Sequence, residues 1–198
     1  MASWNAIAAT TRAVLGLLEE ACPRERFATP LQFLAVHAAR LAGSDPLPDG
    51  FSLLLWRVNV NQSRRNLPTR STPAGQRFKP SLPVDLHYLL LPAAASVETQ
   101  QRLLGWGLRL LEDHPVLGAG LLNRYLNEPE VFGPDETVEL VADPLPLNDH
   151  LNLWDKLKPQ MPTAMSFVAR MVLIDSERDL QEHPPVRSRE FQMAKGAA

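Results

Sequence analysis

Hydrophobic positions along this chain follow two periods, helical and alternating, separated by short polar or proline-bearing connections. Near the start, Trp4, Ile7, Val14, Leu15 and Leu18 recur at helical spacings, with Ser3 placed to cap and Pro23 placed to stop, which predicts an amphipathic helix. The run LQFLAVHAAR has no decisive period, and its phenylalanine and valine tip it towards a strand. Residues 51–60 are apolar at both parities, Phe51, Leu53 and Leu55 against Leu54, Trp56, Val58 and Val60, as in a strand covered on both faces. Residues 62–80 hold four arginines, three prolines and a glycine without periodicity, and read as a long mobile loop. Residues 83–91 then set Val84, Leu86, Tyr88 and Leu90 against Asp85 and His87, as in a strand entering a sheet from its rim.

In the second half, Ser96 caps a predicted helix whose inward residues are Val97, Leu104, Leu108 and Leu111, ended by Asp113, His114 and Pro115. Gly105 and Gly107 inside it each weaken the helix by about 1 kcal/mol, which a close approach to the sheet or to a neighbouring subunit would offset. After a short helical or irregular piece, residues 136–142 alternate Val138, Leu140 and Ala142 with charged or small residues, marking a half-exposed strand and the candidate sheet edge. Leu147, Leu151, Trp154 and Leu157 predict a helix of about three turns closed by Pro159. Residues 163–174 follow as a strand with Met165, Phe167, Ala169, Met171 and Leu173 on one unbroken apolar face. The sum is α/β: a single mixed sheet of about four to six strands flanked by helices, over residues 1–176. Residues 177–198 are charged and poor in apolar side chains, and read as a flexible C-terminal arm. No internal repeat is present, which argues against solenoids and propellers.

Composition narrows the functions. The 198 residues are 45% hydrophobic, enough for one sizeable core. Twenty basic against twenty-two acidic side chains give a formal charge of −2, so no overall positive field gathers nucleic acid or an anionic membrane. No apolar run reaches the roughly eighteen residues of a membrane-spanning helix. The start lacks the basic, unbroken apolar pattern of a signal peptide and is expected to stay on the mature protein. The single cysteine, Cys22, has no internal partner for a disulfide and suits a reducing compartment.

Chemistry-bearing patterns are sparse. Five histidines stand singly, none paired at the three- to five-residue spacing of a helical metal site. Gly118 and Gly120 make a bare G-x-G without the strand and third glycine that a phosphate loop needs. Asp85 and His87 face the same way on one strand and suit either general-base work or a rim hydrogen bond; no serine or cysteine nucleophile accompanies them. Arg57, Arg64, Arg65, Arg70, Arg77 and Lys79 form the one local basic concentration, with few aromatics for stacking bases. The cluster is either a solvated loop or a grip for carboxylates on a partner protein. Trp106 and Trp154 lie on apolar helix faces and are expected in the core.

The segments R-V-N-V-N, R-R-N-L-P, a proline-rich loop and P-x-D-L-H-Y-L-L, followed by L-W-D-K-L and a long strand to V-L-I-D, carry a family likeness. Together they resemble the tail-terminator, or cap, proteins of extracellular contractile injection systems, phage-tail-like particles of the antifeeding-prophage and virulence-cassette type. The likeness runs over most of the first 176 residues, with Asn66, Pro83, Leu86, His87, Tyr88, Trp154 and Asp175 its more specific positions. It implies a tail-terminator-like fold and a non-enzymatic, cofactor-free hexameric ring. That ring ends and joins inner tube and sheath at the distal end of the particle. It also implies assembly in the bacterial cytoplasm and a place on a particle open to release, with no nucleic-acid partner and no membrane insertion. A closed ring needs two different complementary surfaces per subunit. The candidates are Arg64, Arg65, Asn66, Arg70, Arg77 and Lys79 in the loop, with Arg187, Arg189 and Phe191 in the arm. Val138 and Leu140 mark the edge strand, open to an extended sheath segment by strand addition. Two other roles stay open: an adaptor or chaperone for particle cargo, and a small hydrolase or transferase using Asp85 and His87.

Overall fold

The structure is a computed structural model that describes residues 4–27, 30–43, 45–72, 75–126, 130–157 and 162–180. Helix α1 (Ala6–Ala21) buries Ala6, Ala9, Ala13, Val14, Leu17 and Leu18, and its small side chains let it lie close on the sheet. It ends two residues before Pro23, as the pattern predicts. Trp4, however, precedes the helix and stands 71% exposed, so it does not belong to the buried face. The ambiguous LQFLAVHAAR splits into strand β1 (Gln32–Ala35) and a short helix α2 (Ala38–Ala42).

Strand β2 (Gly50–Val60) opens on Gly50, whose φ of +124° and contact with the Gln32 backbone exclude a side chain. Beyond it come two-residue strands β3 (Arg70–Ser71) and β4 (Arg77–Phe78), then the long β5 (Leu82–Ala93). Helix α3 (Val97–Asp113) is capped as expected, the Ser96 Oγ accepting the Thr99 N–H at 3.1 Å. Its inward face is one step round from the expected one: Leu103, Gly107 and Leu111 are buried, whereas Val97 and Leu108 are exposed. Gly107 sets this phase, since only a residue without a side chain fits against the Phe51 ring. Strand β6 (Val116–Gly118) and helix α4 (Ala119–Leu122) follow, then β7 (Thr137–Ala142), α5 (Leu147–Leu157) and β8 (Met165–Ile174).

Among the described residues, six strands form one mixed sheet in the order β1-β2-β5-β8-β7-β6, with only β1–β2 parallel. Helices α1, α3 and α4 cover one face, over a core that includes Leu18, Phe51, Leu53, Leu86, Tyr88, Leu103 and Phe167. On the other face α2 and α5 cover a smaller cluster of Leu41, Leu54, Leu89, Leu91 and Trp154. Each such fully buried large side chain contributes about 1.5–3 kcal/mol.

Two bulges set which residues face which way. The β2–β5 register slips between Leu55 and Arg57, leaving Trp56 as an extra residue. From there Arg57, Asn59 and Asn61 take the second face, and Val58 and Val60 join the side of Phe51 and Leu53. The expected two-face division of residues 51–60 is therefore wrong in its outer half. In the β5–β8 pair, Val84 faces Val172 while Leu86 faces Ala169, so Arg170 and Met171 together oppose Asp85. Met171 adopts φ +57°, in the left-handed region. The face of Phe167 and Ala169 continues through Val172 and Ile174, not through Met171 and Leu173, which corrects the expected unbroken stripe.

Candidate functional site

The two bulges bring the family-like segments together. On the second face, Arg57 and Asn59 of β2 and Asn61 just beyond it lie across from His87 and Asp85 of β5, with Asp143 arriving just after β7. His87 is 7% exposed, and its edge meets the Trp56 ring, which also carries the Arg57 guanidinium at 4.7 Å. Burial first, and the Arg57 charge second, push the His87 pKa below its ordinary value, against the pull of Asp143. A neutral ring satisfies the geometry when Nδ1–H donates to Asp143 Oδ2 (3.2 Å) and Nε2 accepts from Asn59 Nδ2 (3.3 Å).

Asp85 does not orient this imidazole. Its carboxylate accepts from Asn61 Nδ2 at 3.0 and 3.2 Å and from the Met171 N–H at 3.1 Å, the amide that the β8 bulge takes out of the ladder. Asp85 therefore holds the bulge, and the carboxylate bonded to His87 is Asp143. Among the described residues no hydroxyl or thiol bonds to His87, and no group of three or more metal-binding side chains is present. The cluster is a hydrogen-bonded platform rather than a nucleophile with its base.

The basic segment is not the structureless loop expected for residues 62–80. Asn61 Oδ1 accepts the N–H groups of Ser63 and Arg64 and opens a 3-10 turn, and β3 and β4 pair as a small hairpin. Residues 178–180 add to that hairpin: Phe78 bridges to Asp179, Lys79 N–H donates to Arg178 O, and Leu180 N–H to Arg77 O at 2.8 Å. Arg70 fastens the join. It pairs with Asp175 (3.1 Å), donates to Ser176 O (3.0 Å) and lies 4.9 Å over the Phe78 ring. Arg70 is thus engaged within the chain. Arg64, Arg65, Asn66, Arg77 and Lys79 are exposed. Arg187, Arg189 and Phe191 lie outside the described residues.

Val138 and Leu140 are 1% and 7% exposed, in the core under the helices. Nor is β7 the sheet edge, because the unpredicted three-residue β6 pairs with it at residues 137–139. Among the described residues the longest open edge belongs to β2, whose neighbour β1 accompanies it only from Gly50 to Leu53. Elsewhere, Met171 and Leu173, released by their bulge, line a hollow of about 270 Å³ with Leu67, Phe132 and Arg64.

This sheet and helix arrangement is the fold of tail terminators. It is similar to the sheath/tube terminator of an extracellular contractile injection system, PVC, in its extended state (TM-score 0.56, 14% identity, 96% of this chain and 64% of that one). It is likewise similar to the tube-terminating cap of the anti-feeding prophage (TM-score 0.56, 13% identity, 98% of this chain and 62% of that one). The chain thus spans a little under two thirds of the length of either protein. No curated protein sequence matches it. The chain belongs to the Pvc16 N-terminal domain family, which matches residues 9–188. No described helix is long and apolar enough to cross a membrane.

Proposed function

We propose that this protein caps a contractile injection particle, ending growth of the inner tube and sheath and joining them as a closed ring of six copies. The observation that carries this reading is membership of the Pvc16 N-terminal domain family together with the fold held in common with two terminators. The surfaces agree with an assembly role. A ring requires each subunit to present two unlike, complementary patches. The exposed Arg64, Arg65, Arg77 and Lys79 supply one, able to grip carboxylates of a neighbour, and the residues that follow Leu180 in sequence supply the other. Action by assembly rather than catalysis fits a histidine bonded to the Asn59 amide, the Arg57 guanidinium and the Asp143 carboxylate, with no hydroxyl or thiol bonded to it among the described residues. The protein is made and assembled in the bacterial cytoplasm and leaves with the particle.

The test is the length distribution of tail particles, measured by electron microscopy, in cells with and without the gene. Overlong, uncapped or missing particles are expected in its absence. Particles of normal length with normal ends would overturn the cap reading and favour a cargo adaptor.

A further inference from the structure

β2 runs for eleven residues, yet β1 accompanies only its first four. The last bond across that seam is Val36 N–H to Leu53 C=O at 2.9 Å, and among the described residues no strand lies beside β2 beyond it. On its other side β2 is bonded to β5 as far as Asn61, whose N–H donates to Pro83 C=O. Antiparallel alternation then turns the N–H and C=O groups of Val58 and Val60 away from β5, towards the open edge. Proteins ordinarily shorten, cover or interrupt such an edge. Among the described residues nothing covers this one, and Val58 and Val60 are 45% and 38% exposed beside it.

The edge begins at an apolar hollow. Where β1 stops and β2 continues, Ala35, Val36, His37, Leu55, Trp56 and Leu153 border a space of about 380 Å³, ample for a large apolar side chain. Charge then selects the occupant. From Gly50 to Val84 the chain carries no acidic residue, while Arg57, Arg64 and Arg65 follow the hollow in order along and beyond the strand. A second copy is a poor guest, because antiparallel self-pairing sets Arg57 against Arg57, and like charges directly opposite are destabilising.

We propose that the open edge of β2 receives an extended, acidic segment of the tail polymer as an added strand, with one apolar side chain seated in the hollow beside His37. This rests on the cap reading for the identity of the polymer; the edge, the hollow and the charge are properties of the chain itself. Backbone bonds to Val58 and Val60 supply affinity, and the hollow and the arginines supply choice of partner. The Trp56 bulge limits the partners further, since a regular strand paired across it must match the extra residue.

The test uses the full chain and a fluorescein-labelled peptide of about ten residues, with leucine near its start followed by alternating valine and glutamate, read by fluorescence anisotropy. Saturable binding is expected, weakened about tenfold or more when lysine replaces glutamate or when a central proline removes a ladder donor. On the protein side, Val58→Pro removes an outward N–H without taking a bond from β5, and a like loss of binding is expected with the unfolding midpoint little changed. Equal binding of the glutamate and lysine peptides, or of the proline peptide, overturns the proposal without recourse to any variant. That failure leaves the particle-length result untouched, whereas normal particles in the deletion strain overturn the cap reading whatever the peptide does.

Discussion

Gly105 and Gly107 sit two residues apart in α3, and the structure assigns opposite outcomes to filling them. At either position alanine gains about 0.8–1 kcal/mol of helix propensity. A Cβ on Gly105 meets nothing within 4 Å, so that gain stands alone and Gly105→Ala should stabilise by about 1 kcal/mol. A Cβ on Gly107 would stand 2.7 Å from the Phe51 Cζ and 3.2 Å from its Cε2. The ring has little room to retreat, being fully buried with Phe33 and Trp106 rings at 6.2 and 6.1 Å. Overpacking of this kind costs about 1–3 kcal/mol, so Gly107→Ala should be neutral to about 2 kcal/mol destabilising, leaving a gap between the variants of about 1–3 kcal/mol. Urea unfolding followed by circular dichroism measures both. In thermal melts a protein of this size shifts by about 2–4 °C per kcal/mol. Two alanines that stabilise alike would refute the packing of α3 on Phe51, and with it the corrected inward face of that helix.

Two further outcomes follow from the second face and the hairpin. Arg70→Ala strips Asp175 and Ser176 of a shared donor and should destabilise by about 1–3 kcal/mol; amide exchange should accelerate at Lys79 and Leu180, and unchanged exchange there would show that Arg70 does not fasten residues 178–180. His87 titrates below its ordinary value when folded, so the folded form binds its proton less readily than the unfolded one. Its contribution is complete above the ordinary imidazole value of about 6.5 and is lost as pH falls below it. Wild-type stability should therefore fall more steeply between pH 7 and 5 than that of His87→Gln, and parallel curves would sink the argument.

Elements with many turns of one period were legible in the sequence. The extent of α1 and α5, the alternation of β5 and the Ser96 cap were all legible, and Trp106 and Trp154 pack against the core as expected, although Leu147 and Leu151 of the α5 stripe are 71% and 47% exposed. Short elements were not: β6 has three residues and β3 and β4 two each, too few for any period, and β6 displaced β7 from the edge. Bulges leave no mark in a hydrophobicity pattern because the extra residue is counted only when the partner strand is known. Hence the outer half of β2 and the end of β8 were assigned to the wrong faces. The polar platform was half visible. R-V-N-V-N and D-L-H both place polar residues at alternate positions, which suggests two strands laid side by side, but Asp143 in a proline-flanked turn carried no such hint.

The platform depends on how β2 is paired, residue against residue, as much as on the kinds of residue in it. Were Trp56 to take a regular place in the ladder instead of bulging from it, the alternation of β2 would run unbroken against β5, and Arg57, Asn59 and Asn61 would exchange sides with Val58 and Val60. Every side chain of the outer strand would be retained and the sheet would present valines where it now presents arginine and asparagines. In this half of the sheet one irregular pairing decides which side chains the surface presents, while many point substitutions would leave its character intact.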